Sequence, residues 1–148
     1  MKYWLMKSEP SDYSIDNLEK DGVIDWYGIR NYQARNFMRD EMSIGDLAFF
    51  YHSNCKEPGI VGVMKVSKLA YPDKLQFKKN HKYFDAKSNP EDPRWVNVDV
   101  SFVKKIPLVS LAKLRTYKEL ETLKILQRGN RLSITPLSEF EWQFINSI

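Results

Sequence analysis

The sequence predicts an α+β fold built on a mostly antiparallel, curled sheet. Three observations predict it. Strand-like runs fall in two blocks and give about five strands. Helix caps and helical spacing occur before, between and after those blocks. Short polar turns join neighbouring strands at hairpin distance, which favours antiparallel pairing.

The elements follow in order. Tyr3 to Met6 is a short apolar run and reads as a first strand buried on both faces. Ser14 caps a short helix through Leu18, and Gly22 ends it. From Asn31, the residues Ala34, Phe37, Met38 and Met42 keep helical spacing. The turn Gly45-Asp46 leads into a strand, Leu47 to His52. Pro58-Gly59 then opens a β-branched run, Ile60 to Val66, so the two runs read as a hairpin across Ser53 to Glu57. Tyr71 to Pro93, with three prolines and many lysines, reads as a long ordered loop.

From Trp95 to Phe102 the chain alternates. Val96, Val98, Val100 and Phe102 share one face, and Trp95, Asn97, Asp99 and Ser101 the other, as in a strand with one face in the core. Ser110 caps a helix broken near Tyr117, and a further helical run ends near Arg128 with Gly129 as its stop. Arg131 to Thr135 is a short strand. Ser138 and Glu141 form a capping box for a last helix that turns Phe140, Phe144, Ile145 and Ile148 inward.

At 148 residues the chain has the length of one ordinary domain, and neither a linker nor a repeat divides it. Hydrophobic residues make up 43% and charged residues 28%, which excludes a disordered chain. Aromatic residues reach 14%, enough for a core with rings left over for a pocket. A net charge of +4 is a mild basic bias, compatible with a polyanionic partner. The single cysteine, Cys55, excludes an intrachain disulfide and a multi-cysteine zinc site, and favours a reducing compartment. No apolar run approaches the ~20 residues of a membrane helix. We expect a soluble intracellular monomer without cofactor, metal or membrane partner, cytoplasmic or nucleoid-associated in a bacterium and nuclear in a eukaryote.

The segment Trp26 to Phe37, W-Y-G-I-R-N-Y-Q-A-R-N-F, carries the most chemistry. Flat rings stack on flat ligands, and stacking contributes ~1–3 kcal/mol per base. Amides such as Asn31 and Gln33 can pair with a base edge. Core packing explains Trp26 equally well, and helix capping explains Asn31. Arg30 and Arg35 are phosphate contacts on the functional reading and solvated charges otherwise. Lys74, Lys78, Lys79 and Lys82 interleave with Phe77, His81, Tyr83 and Phe84, a pattern that suits a nucleic-acid backbone and equally a solvated loop. His52 and Cys55 raise an enzyme reading, yet successive strand residues point to opposite faces and no carboxylate orients the histidine. No phosphate-binding loop, serine elbow or H-x-E…C-x-x-C deaminase pattern occurs.

Seven segments together resemble the EVE domain family, which includes the thymocyte nuclear protein group. They are Y-W-L-M-K-S-E-P (3–10), the 26–37 segment, G-D-L-A-F-F-Y-H-S-N-C-K-E-P-G-I-V-G-V (45–63), A-Y-P-D (70–73), D-A-K-S (85–88), P-R-W-V-N-V-D-V (93–100) and G-N-R-L-S-I-T-P-L (129–137). They cover nearly the whole chain in order. Tyr27 and Ile29 stand where W-x-G-V-R is expected, and Asp85-Ala86-Lys87 where D-P-K is. The resemblance implies a PUA-like fold: a curled, barrel-like sheet of about five to six mostly antiparallel strands with helices around it. It also implies kinship with YTH domains, which hold a methylated adenine in an aromatic cage, and a pocket that accepts a flipped modified base, such as 5-methylcytosine in DNA, or a modified base in RNA.

Carried over by motif, the base-binding residues are Lys7, Ser8, Trp26, Asn31, Tyr32, Gln33, His52, Ser53, Asn54, Arg131 and Ser133. Trp26 stacks on the base, and Asn31, Gln33 and Ser8 bond its edge. Arg30, Arg35, Arg131 and the lysine loop meet phosphates. The expected function is a non-catalytic reader of a methylated or hydroxymethylated base. Its rivals are a general RNA-binding domain without such preference and a nucleotide-processing enzyme using His52 and Cys55.

Overall fold

The computed structural model describes residues 1–148. Six strands form one sheet: β1 (Tyr3–Ser8), β2 (Val23–Asp25), β3 (Leu47–His52), β4 (Gly59–Pro72), β5 (Val96–Ser110) and β6 (Ile134–Leu137), in the order β2-β5-β4-β3-β1-β6. Four of the five pairings are antiparallel, and β1 with β3 is parallel. The expected curl is present, but the barrel is not closed: β2 and β6 are edges that do not pair with each other. They have three and four residues, and Pro136 in β6 lacks an N–H, which suits an edge. The curl comes from β4 and β5, whose register shifts four times along their length. Each such irregularity bends a strand and increases its twist. Pro107 sits in one of these gaps, where residues 106–108 have no partner on β4.

Alternation along the strands divides the interior into two cores. Trp4, Met6, Ala48, Phe50, Met64, Val66, Val98 and Val100 face one side. There they meet Ile15 and Leu18 of α1 (Ile15–Asp21), and Ala34 and Met38 around α2 (Tyr32–Asn36). Leu5, Phe49, Tyr51, Ile60 and Val63 face the other side, against Leu114, Leu120, Leu123, Trp142 and Ile145. The central strands β1 and β3 are therefore buried on both faces, as the apolar run at Tyr3 to Met6 predicts.

The helices carry the caps the sequence marks. Ser14 accepts from the Asn17 N–H while Asn17 bonds back to the Ser14 backbone, and Gly22 closes the helix at φ +80°. α1 runs three residues beyond Leu18. α2 continues into a π-helical turn, Phe37–Glu41. Ser138 and Glu141 make the predicted capping box of α4 (Glu139–Ser147).

Several local expectations are corrected. β2 was not expected, because a glycine stop followed by three residues ending in Asp25 leaves no periodicity to read. β4 and β5 are each twice the expected length or nearly so. The 71–93 loop contains the end of β4 and a 3-10 turn, Lys74–Phe77. After α3 (Leu111–Leu114) the further helical run is two 3-10 turns, Lys118–Leu120 and Lys124–Leu126. β6 starts three residues later than Arg131. In α4 the buried residues are Glu141, Trp142 and Ile145, whereas Phe140 is 58% exposed. Asn97 is fully buried, so the polar face of β5 is not solvated there.

Candidate functional site

Parallel pairing places the C-terminal ends of β1 and β3 side by side, with Ser8 opposite His52, and the Ser53 N–H bonds the Ser8 carbonyl at 3.0 Å. β6 runs the other way, so its approach, Arg131 to Ser133, reaches the same end; the Lys7 N–H bonds the Ser133 carbonyl at 2.8 Å. The segment after β2 is tied in by the Trp26 N–H on the Val98 carbonyl at 2.7 Å. These ends enclose an open cavity of about 660 Å³, lined by four chain-distant blocks plus the loop residues Lys82 and Tyr83. That size lies within the range of small-ligand sites.

The aromatic wall has a defined construction. Trp26 is 6% exposed, meets Phe50 edge-on at 5.4 Å, and lines the cavity, so it is core and wall at once. Tyr27 and Tyr83 meet edge-to-face at 6.2 Å. Tyr83 lies directly on Gly28: a Cβ at Gly28 would stand 2.6 Å from its ring. Gly28 also has φ +83°, so both space and backbone require glycine there.

Arg30 clamps this wall. Its Nε and Nη2 donate to the Tyr83 carbonyl at 3.0 and 2.9 Å, and Nη1 donates to Ile29 O at 2.8 Å and Asp73 Oδ2 at 3.1 Å. Asp73, fully buried, also accepts from the Gly28 and Leu75 N–H groups. Arg30 lines the cavity with four of its five N–H donors committed within the fold, so it serves as a structural clamp and leaves one N–H for the expected phosphate contact.

Of the base-binding candidates, Lys7, Ser8, Trp26, Ser53, Asn54, Arg131 and Ser133 line the cavity. Ser8 Oγ donates to the Tyr13 carbonyl at 2.6 Å. Asn54 has φ +54° and donates to Glu9 Oε1 at 3.0 Å. Burial lowers the Lys7 pKa from its ordinary value, and Arg131 is exposed at the rim.

Four candidates lie elsewhere. Asn31 caps α2, accepting from the Ala34 N–H at 3.0 Å. Tyr32 stacks on Trp95 at 4.9 Å, and Gln33 is exposed outside the cavity. His52 Nε2 accepts the Ile15 N–H at 3.1 Å, fixing the start of α1. Burial lowers the His52 pKa, which keeps that acceptor neutral.

Among the phosphate candidates only Lys82 joins Arg30 in the lining, 4.0 Å from Asp12. Arg35 lies 4.6 Å over the Tyr32 ring and donates to the Arg94 carbonyl, which pins the long loop to α2. Lys74, Lys78 and Lys79 are exposed outside the cavity. Cys55 and His52 do not line it either. No group of three His, Cys, Asp or Glu side chains is placed to hold a metal ion, and no helix is long and apolar enough to cross a membrane.

Sequence reasoning missed Tyr27, Gly28, Tyr83 and Asp25. The signals were present: Tyr-Gly sits inside the W-Y-G-I-R motif, and Tyr83 is among the aromatics interleaved with lysines. Burial raises the Asp25 pKa above the ordinary carboxylate value, with Asp99 and Asp73 adding to the effect.

An open curled sheet with a ring-walled cavity at its strand ends, lined by both basic and acidic side chains, defines a ligand-binding class. The EVE domain model matches residues 2–148, and the chain belongs to the EVE domain family. Thymocyte nuclear protein 1 of Mus musculus is 44% identical over 166 residues, spanning 99% of this chain and 73% of its own. Among solved structures, human THYN1 in complex with DNA containing 5-methylcytosine is similar with TM-score 0.94 and 43% identity, covering 99% of this chain and 96% of that one. A protein of Pseudomonas syringae aligns with TM-score 0.94 and 45% identity over 98% of this chain and 97% of its own.

Proposed function

We propose that this protein is a non-catalytic, monomeric reader that binds DNA by taking a flipped 5-methylcytosine into the cavity bounded by Trp26, Tyr27 and Tyr83. The observation that carries the reading is that cavity: flat rings on its wall, polar groups from Ser8, Ser53 and Ser133 at its end, and Lys7, Lys82 and Arg131 about it. The likeness to human THYN1 bound to DNA containing 5-methylcytosine supports it. The chain acts as one domain, in whichever compartment holds the DNA.

The chemistry sets the magnitudes. Flipping costs a few kcal/mol, offset by stacking at ~1–3 kcal/mol per base and by phosphate contacts. Burying one methyl group adds ~0.8 kcal/mol, about fourfold in affinity. The rings must exclude water for discrimination to exceed that. The test is an affinity series at fixed salt with one sequence carrying cytosine, 5-methylcytosine or 5-hydroxymethylcytosine, as DNA and as RNA. Tighter binding of the methylated DNA, lost in Tyr83→Ala, is expected. Equal binding of all members refutes the modified-base reading, and a preference for the RNA series refutes the choice of DNA.

A further inference from the structure

We propose that Asp25 determines which base the cavity takes: its carboxylate accepts the exocyclic amine of a cytosine-type base and rejects the keto counterpart. This rests on the base-pocket reading above. Asp25 ends β2, immediately before Trp26 and Tyr27, and lines the cavity with them. It forms no ion pair, whereas the carboxylates around it are engaged. Asp73 meets Arg30, Asp12 meets Lys82, Glu9 accepts from Asn54, Asp21 accepts from Tyr13 and Asp99 accepts from Tyr71. Lys74 is near enough to act on Asp25 through its charge but makes no bond to it.

An unpaired carboxylate in a cavity built for part of a polyanion needs an explanation. Phosphate is repelled there, so the group that meets Asp25 is a donor. The exocyclic amine of a cytosine-type base is a donor that suits a carboxylate acceptor, as in pairing of Asp or Glu with cytosine N4. Thymine and uracil present a carbonyl oxygen at that position, which would set lone pair against lone pair beside a group that already lacks full hydration.

The experiment uses the whole chain and duplexes with one test base opposite an abasic site, so that base pairing does not enter. 5-Methylcytosine and thymine share the 5-methyl group and differ in the amine. Wild type is expected to bind 5-methylcytosine at least tenfold more tightly than thymine, within the discrimination of a good base-edge contact. Asp25→Asn, whose amide can also donate to a carbonyl, is expected to bring the ratio within about threefold. Asp25→Ala is expected to weaken 5-methylcytosine binding and, with the repulsion removed, to strengthen thymine binding.

Equal wild-type affinities for 5-methylcytosine and thymine overturn the proposal, as does an Asp25→Asn protein with the wild-type ratio. The comparison of 5-methylcytosine with cytosine tests the modified-base reading separately: equal affinities there, with thymine still rejected, refute methyl recognition and leave Asp25 in its role.

Discussion

Replacing Gly28 with alanine probes the cavity wall at one atom. Two costs add. The backbone at φ +83° strains any residue with a Cβ, by ~1–2 kcal/mol. The new Cβ also stands 2.6 Å from Tyr83 Cζ and 2.7 Å from Cε2, where carbon atoms settle at about 3.5 Å or more, so the ring must retreat by roughly 1 Å. Overpacking of this kind costs ~1–3 kcal/mol, and Arg30, bonded to the Tyr83 carbonyl, resists the shift. Gly129→Ala separates the two costs, because Gly129 has φ +80° with nothing within 4 Å of its Cβ. At ~2–4 °C per kcal/mol, Gly129→Ala lowers Tm by ~2–8 °C and Gly28→Ala by distinctly more. Fluorescence anisotropy with a methylated duplex adds the functional half: Gly28→Ala weakens binding about tenfold, within the worth of one stacking wall, and Gly129→Ala leaves it unchanged. Wild-type affinity in Gly28→Ala, or a Tm no lower than that of Gly129→Ala, refutes the assigned role of Tyr83.

Three further outcomes are expected. Because the His52 pKa is lowered in the fold, the unfolded chain binds more protons between that value and 6.5. Stability is therefore full above pH 6.5 and falls as pH drops through that window; His52→Gln keeps an acceptor for the Ile15 N–H, and a melting series with an unchanged slope for that variant contradicts the assignment. Arg30→Ala strands the buried Asp73 charge and lowers stability by ~3 kcal/mol in chemical denaturation, with base binding weakened through Tyr83; a loss under 1 kcal/mol contradicts the clamp. Arg131→Ala lowers affinity for modified and plain DNA alike and reduces the salt slope by ~1, whereas Lys79→Ala changes neither; the reverse pattern in a salt titration places the backbone path on the lysine loop.

The parts of the fold that were legible in the sequence are those fixed locally. Ser14 and Ser138 cap helices through bonds within three residues, and β1 and β3 announce double burial by unbroken apolar runs. The lengths of β4 and β5 were hidden because their outer halves carry Lys68, Lys104 and Lys105, exposed residues with no apolar stripe. In the motif around Trp26, Trp26 and Arg30 line the cavity, whereas Asn31, Tyr32 and Gln33 lie outside it. Asn31 and Tyr32 spend their groups on the Ala34 N–H and on Trp95, contacts decided by the turn into α2 and by a loop some sixty residues later. Tyr83 reaches the cavity only because Gly28 leaves room and Arg30 holds its carbonyl, neither of which follows from its own neighbours in sequence.

On the proposed function, the cavity at the ends of β1 and β3 holds a flipped modified base. A crystal structure of this protein with a duplex carrying one 5-methylcytosine tests it most directly. The methylated base is expected outside the helix stack, in the cavity bounded by Trp26, Tyr27 and Tyr83. A base still paired within the duplex, or seated on the Tyr32–Trp95 stack with the cavity empty, contradicts it.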